Sequence, residues 1–210
     1  MNEKFWKALG IIGRGDNSEW ISPSPFLPAF SFHEIHESGV INAQPEEIIA
    51  AVSALDMRDD RVADLLLSIR ELPSKMIKKF RTTQQQEAAR FGFDTFTLLQ
   101  RTSHELSLGL IGRFWRPDLD ISHISSAREF VLLDDPRVAK LVLRFQVVEH
   151  QRDIRTLRTE TFVYCGNTQT RMLFAPYWLA IRCASGWIRR RTLASVQRQL
   201  STGKASPPKH

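Results

Sequence analysis

The 210-residue chain contains only two cysteines, Cys165 and Cys183. Two thiols make no disulfide framework, and no CxxC or Cys/His spacing suggests a metal site. The expectation is a reducing, cytoplasmic setting with buried thiols and no metal. Acidic residues stop at Glu160, and Thr161 to His210 hold none. No apolar run reaches the roughly 20 residues that a membrane-crossing helix needs. The most apolar stretch, Met172 to Ile188, is interrupted by Pro176, Arg182, Ser185 and Gly186, and reads as a buried helix. Met1 to Ile12 carries Lys4 and Lys7, but its apolar core is broken and Gly13-Arg14-Gly15-Asp16 follows, so it does not read as a secretory signal. No GxSxG, Walker loop, HExxH or GxGxxG occurs, and Gly13-Arg14-Gly15 is too short to cradle a phosphate. The sequence therefore predicts no cofactor and names no catalytic residue.

What is present is ordinary globular material. Hydrophobic residues make up 42% and charged residues 25%, too apolar a mixture for a disordered chain. Thirteen Phe and five Trp can fill a sizeable core. The net charge of +6 is lopsided: residues from Thr161 onward carry +8, and the rest of the chain −2. Basic residues of this kind either complement the C-terminal end of a long helix dipole or meet an anionic lipid or nucleic acid. Arg189, Arg190 and Arg191 are the tightest cluster available for the second role. Phe5, Trp6, Leu9 and Ile12 fall at helical spacing, for a short helix that docks on the body or touches a membrane surface.

Residues 1–31 read as an extended lead-in, rich in Gly, Ser and Pro from residue 13 on and without a core of its own. The folded body is expected over 32–200 and a disordered tail over 201–210. Phe32 to Ile41 reads as a first strand. Pro45 with Glu46 and Glu47 then opens a helix whose apolar stripe is Ile48, Ile49, Val52 and Leu55. Val62, Leu65, Leu66 and Ile69 mark a second helix, ended by Pro73. Strands follow at Phe96–Arg101 and Glu105–Phe114, joined by a turn at Thr102-Ser103-His104. Ser122–Leu133 is a weaker strand, and Ala139–Gln151 and Arg155–Cys165 are strong ones. A helix over Thr168–Leu200 closes the chain, with Pro176 set to end, kink or offset its first turns.

This order is α+β: a curved antiparallel sheet whose apolar face needs the long C-terminal helix as cover. It resembles the helix-grip fold of the START-like (SRPBCC) superfamily, which includes polyketide cyclase-like proteins. The residues that carry the resemblance are Ala43-Gln44-Pro45-Glu46-Glu47 at the first helix and the closing strand-to-helix piece. That piece runs from Leu157-Arg158-Thr159-Glu160-Thr161-Phe162-Val163 through Phe174-Ala175-Pro176-Tyr177-Trp178 to Ser185-Gly186-Trp187-Ile188. It looks like an uncharacterised bacterial branch, with Phe162 standing where that branch tends to carry Arg. The resemblance implies a sheet wrapped around the long helix and a cavity that takes an apolar small molecule or lipid. Members range from carriers to cyclases, so an enzyme of the cyclase or dehydratase kind is the alternative.

Candidate ligand contacts are Trp115, Phe145, Arg158, Glu160, Tyr164, Tyr177, Trp178 and Ile181. Glu160 either points into the cavity or forms a surface ion pair with Arg158, two residues away on the same strand face. Trp115 either rims a pocket or plugs the end of the sheet. Tyr177, Trp178 and Ile181 belong to the helix that both fills the core and lines the cavity. His33 and His36, three apart on a strand, face opposite ways and share no ligand. Asp118, Asp120 and His123 read as turn residues.

Overall fold

A computed structural model describes residues 23–56, 96–116, 120–151, 154–179 and 182. Strand β1 is Phe32–Glu37, helix α1 Pro45–Asp56, β2 Thr97–Arg101, β3 Glu105–Gly112, β4 Ile121–Ser122, and α2 Ala127–Leu132. Strands β5 (Ala139–Gln151) and β6 (Ile154–Cys165) follow, and then α3 over 168–179, with residue 182 helical again. The fold is α+β. Its antiparallel sheet runs β1-β6-β5-β3-β2, with β4 paired to β3 off that path. The first strand thus lies beside the last, and the long β5–β6 hairpin is the spine of the sheet. The second helix expected after Asp59, Ile181, the Arg189–Arg191 cluster, the rest of the C-terminal helix, the tail and the first 22 residues lie outside the described residues.

Local signals explain most boundaries. Pro45 is the first residue of α1, where its missing N–H costs nothing. Glu47 Oε2 accepts the Gln44 backbone N–H at 2.9 Å, one half of a capping box. Asn167 Oδ1 accepts the Thr170 N–H at 2.7 Å at the start of α3, and Thr170 Oγ1 donates to the Pro136 carbonyl, tying that start to the loop before β5. Pro176 does not stop α3. The carbonyl it leaves unpaired belongs to Met172, whose side chain is 71% exposed, so this side of the helix faces solvent.

The weak strand expected over Ser122–Leu133 is corrected. Only Ile121–Ser122 is strand, and most of the rest is the irregular stretch 123–126 and helix α2. Capping decides it. Ser126 Oγ accepts the Glu129 N–H, and the Glu129 carboxylate accepts the Ser125 N–H and hydroxyl. At the far end Lys140 Nζ donates to the carbonyls of Val131 and Leu133, both at 3.1 Å. Burial pushes the Lys140 ammonium below its ordinary value, while the charge of Asp134 opposes that.

Both faces of the sheet are covered. On one, Leu106, Leu108, Phe145, Val147 and Leu157 pack under α1 through Ile48, Ile49 and Val52. Further along the same face, Phe32, Leu110, Ala139 and Val163 pack under α3 through Phe174 and Trp178. Burying a side chain such as Phe174 stabilises by roughly 1.5–3 kcal/mol. On the opposite face Ile111, Val142 and Phe162 meet Phe130 of α2 together with Leu27 and Phe30. The end of the lead-in is therefore part of the body: Leu27 and Phe30 are buried, and the Ser31 N–H donates to the Val163 carbonyl at 2.7 Å.

Candidate functional site

Two groups of buried polar residues arise where β1 meets β6, one on each face. The register pairs Glu34 with Thr161 and His36 with Thr159, and it pairs His33 with Phe162 and Ile35 with Glu160. Strand parity sends Glu34, His36, Thr159 and Thr161 to the face under α1 and α3. It sends His33, Glu160 and Phe162 to the face under α2.

On the α2 face Glu160 lies directly across from Arg144 of β5. Its Oε2 accepts from Arg144 Nε at 2.9 Å and from Nη2, and its Oε1 faces His33 Nε2 at 3.3 Å. Side-chain exposure is 2% for Arg144 and His33 and 7% for Glu160. Phe162 supports the group, with the guanidinium 5.1 Å and the His33 ring 4.7 Å from its centroid. Burial opposes charge on Glu160, but hydrogen bonds from His33 and Arg144 and their charges outweigh it and hold the carboxyl below its ordinary range. The carboxylate is engaged on both oxygens, so it is a brace and not a free acid or base.

This corrects both sequence readings of Glu160. It neither faces α3 nor pairs with Arg158 at the surface. Arg158 instead reaches Glu37 Oε2, with Nη2 at 3.1 Å, in a half-exposed group with His150 and Thr156. Tyr164 also lies on the α2 face, packed against its apolar cluster. Arg158, Glu160 and Tyr164 therefore sit on the face opposite α3. Phe145 is on the α3 side but belongs to the cluster under α1. Trp115 packs edge-on against Phe174, with centroids 5.9 Å apart, and Trp178 is buried against Phe32. Tyr177 is the sequence candidate on the α3 side whose buried hydroxyl lacks a partner.

That group forms a belt on the α1/α3 face. Along β6 the side chains facing this way are Leu157, Thr159, Thr161 and Val163 in turn. The two threonines separate the cluster under α1 from the one under α3. Beside them on β1, His36 Nε2 lies 3.1 Å from Glu34 Oε1. Arg182 Nε approaches the same oxygen at 3.7 Å. Tyr177 comes from α3, its ring packed on Phe174. Burial alone raises the Tyr177 phenol, so the hydroxyl stays protonated. Among the described residues, four buried side-chain atoms on this side of the sheet have no hydrogen-bond partner: His36 Nε2, Thr159 Oγ1, Tyr177 Oη and Arg182 Nη1. The His36–Glu34 approach is thus electrostatic, without the geometry of a hydrogen bond.

Sequence reasoning missed Glu34, His36, Thr159, Thr161 and Arg182 as a group. The available signal was two threonines at alternate positions between Leu157 and Val163, beside an acidic and an imidazole side chain two apart on β1. Cys165, on the same face, offers no nucleophile: burial pushes its thiol up to about 12, against the opposing charge of Arg171. Among the described residues no three His, Cys, Asp or Glu side chains group as metal ligands, and no helix is long and apolar enough to cross a membrane. Comparison with protein-family models, curated proteins and solved structures finds no match.

Proposed function

We propose that this chain is a START-like, helix-grip protein that binds an apolar small molecule between the α1/α3 face of its sheet and the C-terminal helix. The observation that carries the reading is the set of four buried, partnerless polar atoms on the sheet face that bears two apolar clusters. Ligand sites combine apolar walls with a few converging polar groups. A buried polar atom without a partner costs roughly 1–3 kcal/mol, which a bound molecule or water relieves. The fold class is supported by the pairing of first and last strands, the helix directly after β1, and the passage from β6 straight into a helix lying on the sheet.

Native mass spectrometry of the purified chain, followed by organic extraction, tests the reading. The expected result is a stoichiometric apolar passenger, or uptake of one from added medium-chain lipids. An unliganded mass that no apolar compound shifts overturns it. The pairing of buried Glu34 with half-buried His36 favours one second reading, an acid–base enzyme of the cyclase or dehydratase kind at the same place. Turnover of an extracted passenger, lost in Glu34→Gln, would support that reading over simple carriage.

A further inference from the structure

We infer that two copies of this chain pair edge to edge through β1, antiparallel, about a two-fold axis at Ile35. β1 ends the sheet, and among the described residues no strand pairs with its outer side. The hydrogen-bond phase says which backbone groups face outward. The Ser38 N–H donates to the Leu157 carbonyl at 2.9 Å, so Ser38 and, in register, His36, Glu34 and Phe32 turn their backbone towards β6. Ile35 and Glu37 turn theirs the other way, to the open side. Ile35 is also 44% exposed, an aliphatic side chain in the middle of a sheet edge.

The regular part of that edge has a defined centre. At one end the Ser31 N–H reaches the carbonyl of Val163, the register partner of Phe32, so the ladder slips at Ser31. At the other, Ser38 bonds Leu157 and Ile41 bonds Arg155, which sets two residues of one strand against one of its neighbour. Such a bulge ends a flat edge. The flat edge is therefore Phe32 to Ser38, and its midpoint is Ile35. A two-fold axis makes the paired strands antiparallel, and the outward-facing residues must form the hydrogen-bonded pairs. An axis on any one residue of β1 meets that condition, and side-chain charge then chooses among them. An axis on His33, Glu34, His36 or Glu37 sets an imidazole or a carboxylate directly against its own copy. The axis on Ile35 sets His33 against Glu37 and Glu34 against His36, twice over, with the two isoleucines together at the centre. Glu34 and Glu37 keep their contacts with His36 and Arg158 of their own chain. The strand is thus complementary to itself in one register, which commits this edge to a second copy.

The pairing is independent of the binding site proposed above. One strand edge supplies fewer residues than the roughly 20–30 a side of a stable interface, so the association is weak. Sedimentation velocity of the full chain between about 1 μM and 1 mM tests it. The expected result is a shift from monomer to dimer across that range. Ile35→Lys puts two charges on the axis and is expected to sediment as a monomer throughout, with unchanged circular dichroism and melting point because the side chain is exposed. The register has its own test, because only a residue on the axis meets its own copy. In Ile35→Cys the two thiols stand on strands about 5.5 Å apart, within disulfide reach. In Glu37→Cys they are separated by about 13 Å along the strands, beyond it. Mild oxidation is expected to cross-link Ile35→Cys at least about tenfold faster than Glu37→Cys or the parent chain. A parent that stays monomeric up to about 1 mM, or a dimer that survives Ile35→Lys, overturns the pairing. Cross-linking of Glu37→Cys as fast as Ile35→Cys overturns the register.

Discussion

Replacing Arg144 with Met tests which arginine holds Glu160. Arg144→Met keeps the apolar stem and removes the guanidinium that meets Glu160 through Nε and Nη2. Glu160 would then be buried with only His33 against it. Breaking a buried pair in this way costs roughly 3–5 kcal/mol, because the surviving charge has lost its solvation. A domain of ordinary stability has only about 5–15 kcal/mol in total, so the variant should stand near the edge of unfolding. Replacing both residues by Met removes the stranded charge, and much of the loss should return. Arg158→Met is the control. Its partner Glu37 is about one-third exposed, so the change should cost under about 1 kcal/mol. Urea unfolding followed by circular dichroism and tryptophan fluorescence gives all three values. A loss below about 1 kcal/mol for Arg144→Met, or equal losses for the two arginines, would refute the brace.

Glu160 and Glu37 are both held below their ordinary range in the fold, so their contribution is complete above the unfolded carboxylate value and is lost as pH falls through the folded one. Acid titration of stability should therefore show a decline below the ordinary carboxylate range that is shallower in Glu160→Gln. Ser126→Ala removes the side-chain acceptor at the start of α2 and should cost about 1 kcal/mol, read as a lower urea midpoint at unchanged slope. Gly109→Ala should cost about 1–3 kcal/mol, since a Cβ there would stand 2.8 Å from side-chain carbons of both Leu99 and Phe130. An unchanged midpoint for Gly109→Ala would mean that α2 is not seated on the sheet at that point.

The strongly patterned elements were legible in the sequence. Leu141, Leu143, Phe145 and Val147 alternate over a strand whose expected bounds, Ala139–Gln151, match the structure. Pro45-Glu46-Glu47 announces α1. The miss at α2 has a local cause: Ser126 and Glu129 form a helix-starting pair three residues apart, and only Phe130 of the helix is buried, so no apolar periodicity drew attention to it. The miss at Leu27 and Phe30 is of the opposite kind. Two apolar residues among prolines have no period to read, and their burial depends on a sheet face assembled from β3, β5 and β6. Glu160 failed for a related reason. Its near neighbour in sequence is Arg158, but its partner across the strand is Arg144, fixed by the β5–β6 register.

Parity along β1 and β6 places two kinds of buried polarity back to back, and their energetic consequences differ. His33, Arg144 and Glu160 satisfy one another, so that group can stay dry under α2. His36, Thr159, Tyr177 and Arg182 each leave an atom unpaired. At roughly 1–3 kcal/mol apiece, four such atoms in a dry and empty interior would consume much of the 5–15 kcal/mol that keeps a domain folded. Water or a ligand must therefore supply hydrogen-bonding partners to them. Full occupation by water would have a simple signature: removing the Tyr177 hydroxyl would then disrupt a satisfied network and lower the melting point of the free protein. The opposite result, a variant that is as stable or more so but a poorer binder, is the pattern of a site kept open at the expense of stability.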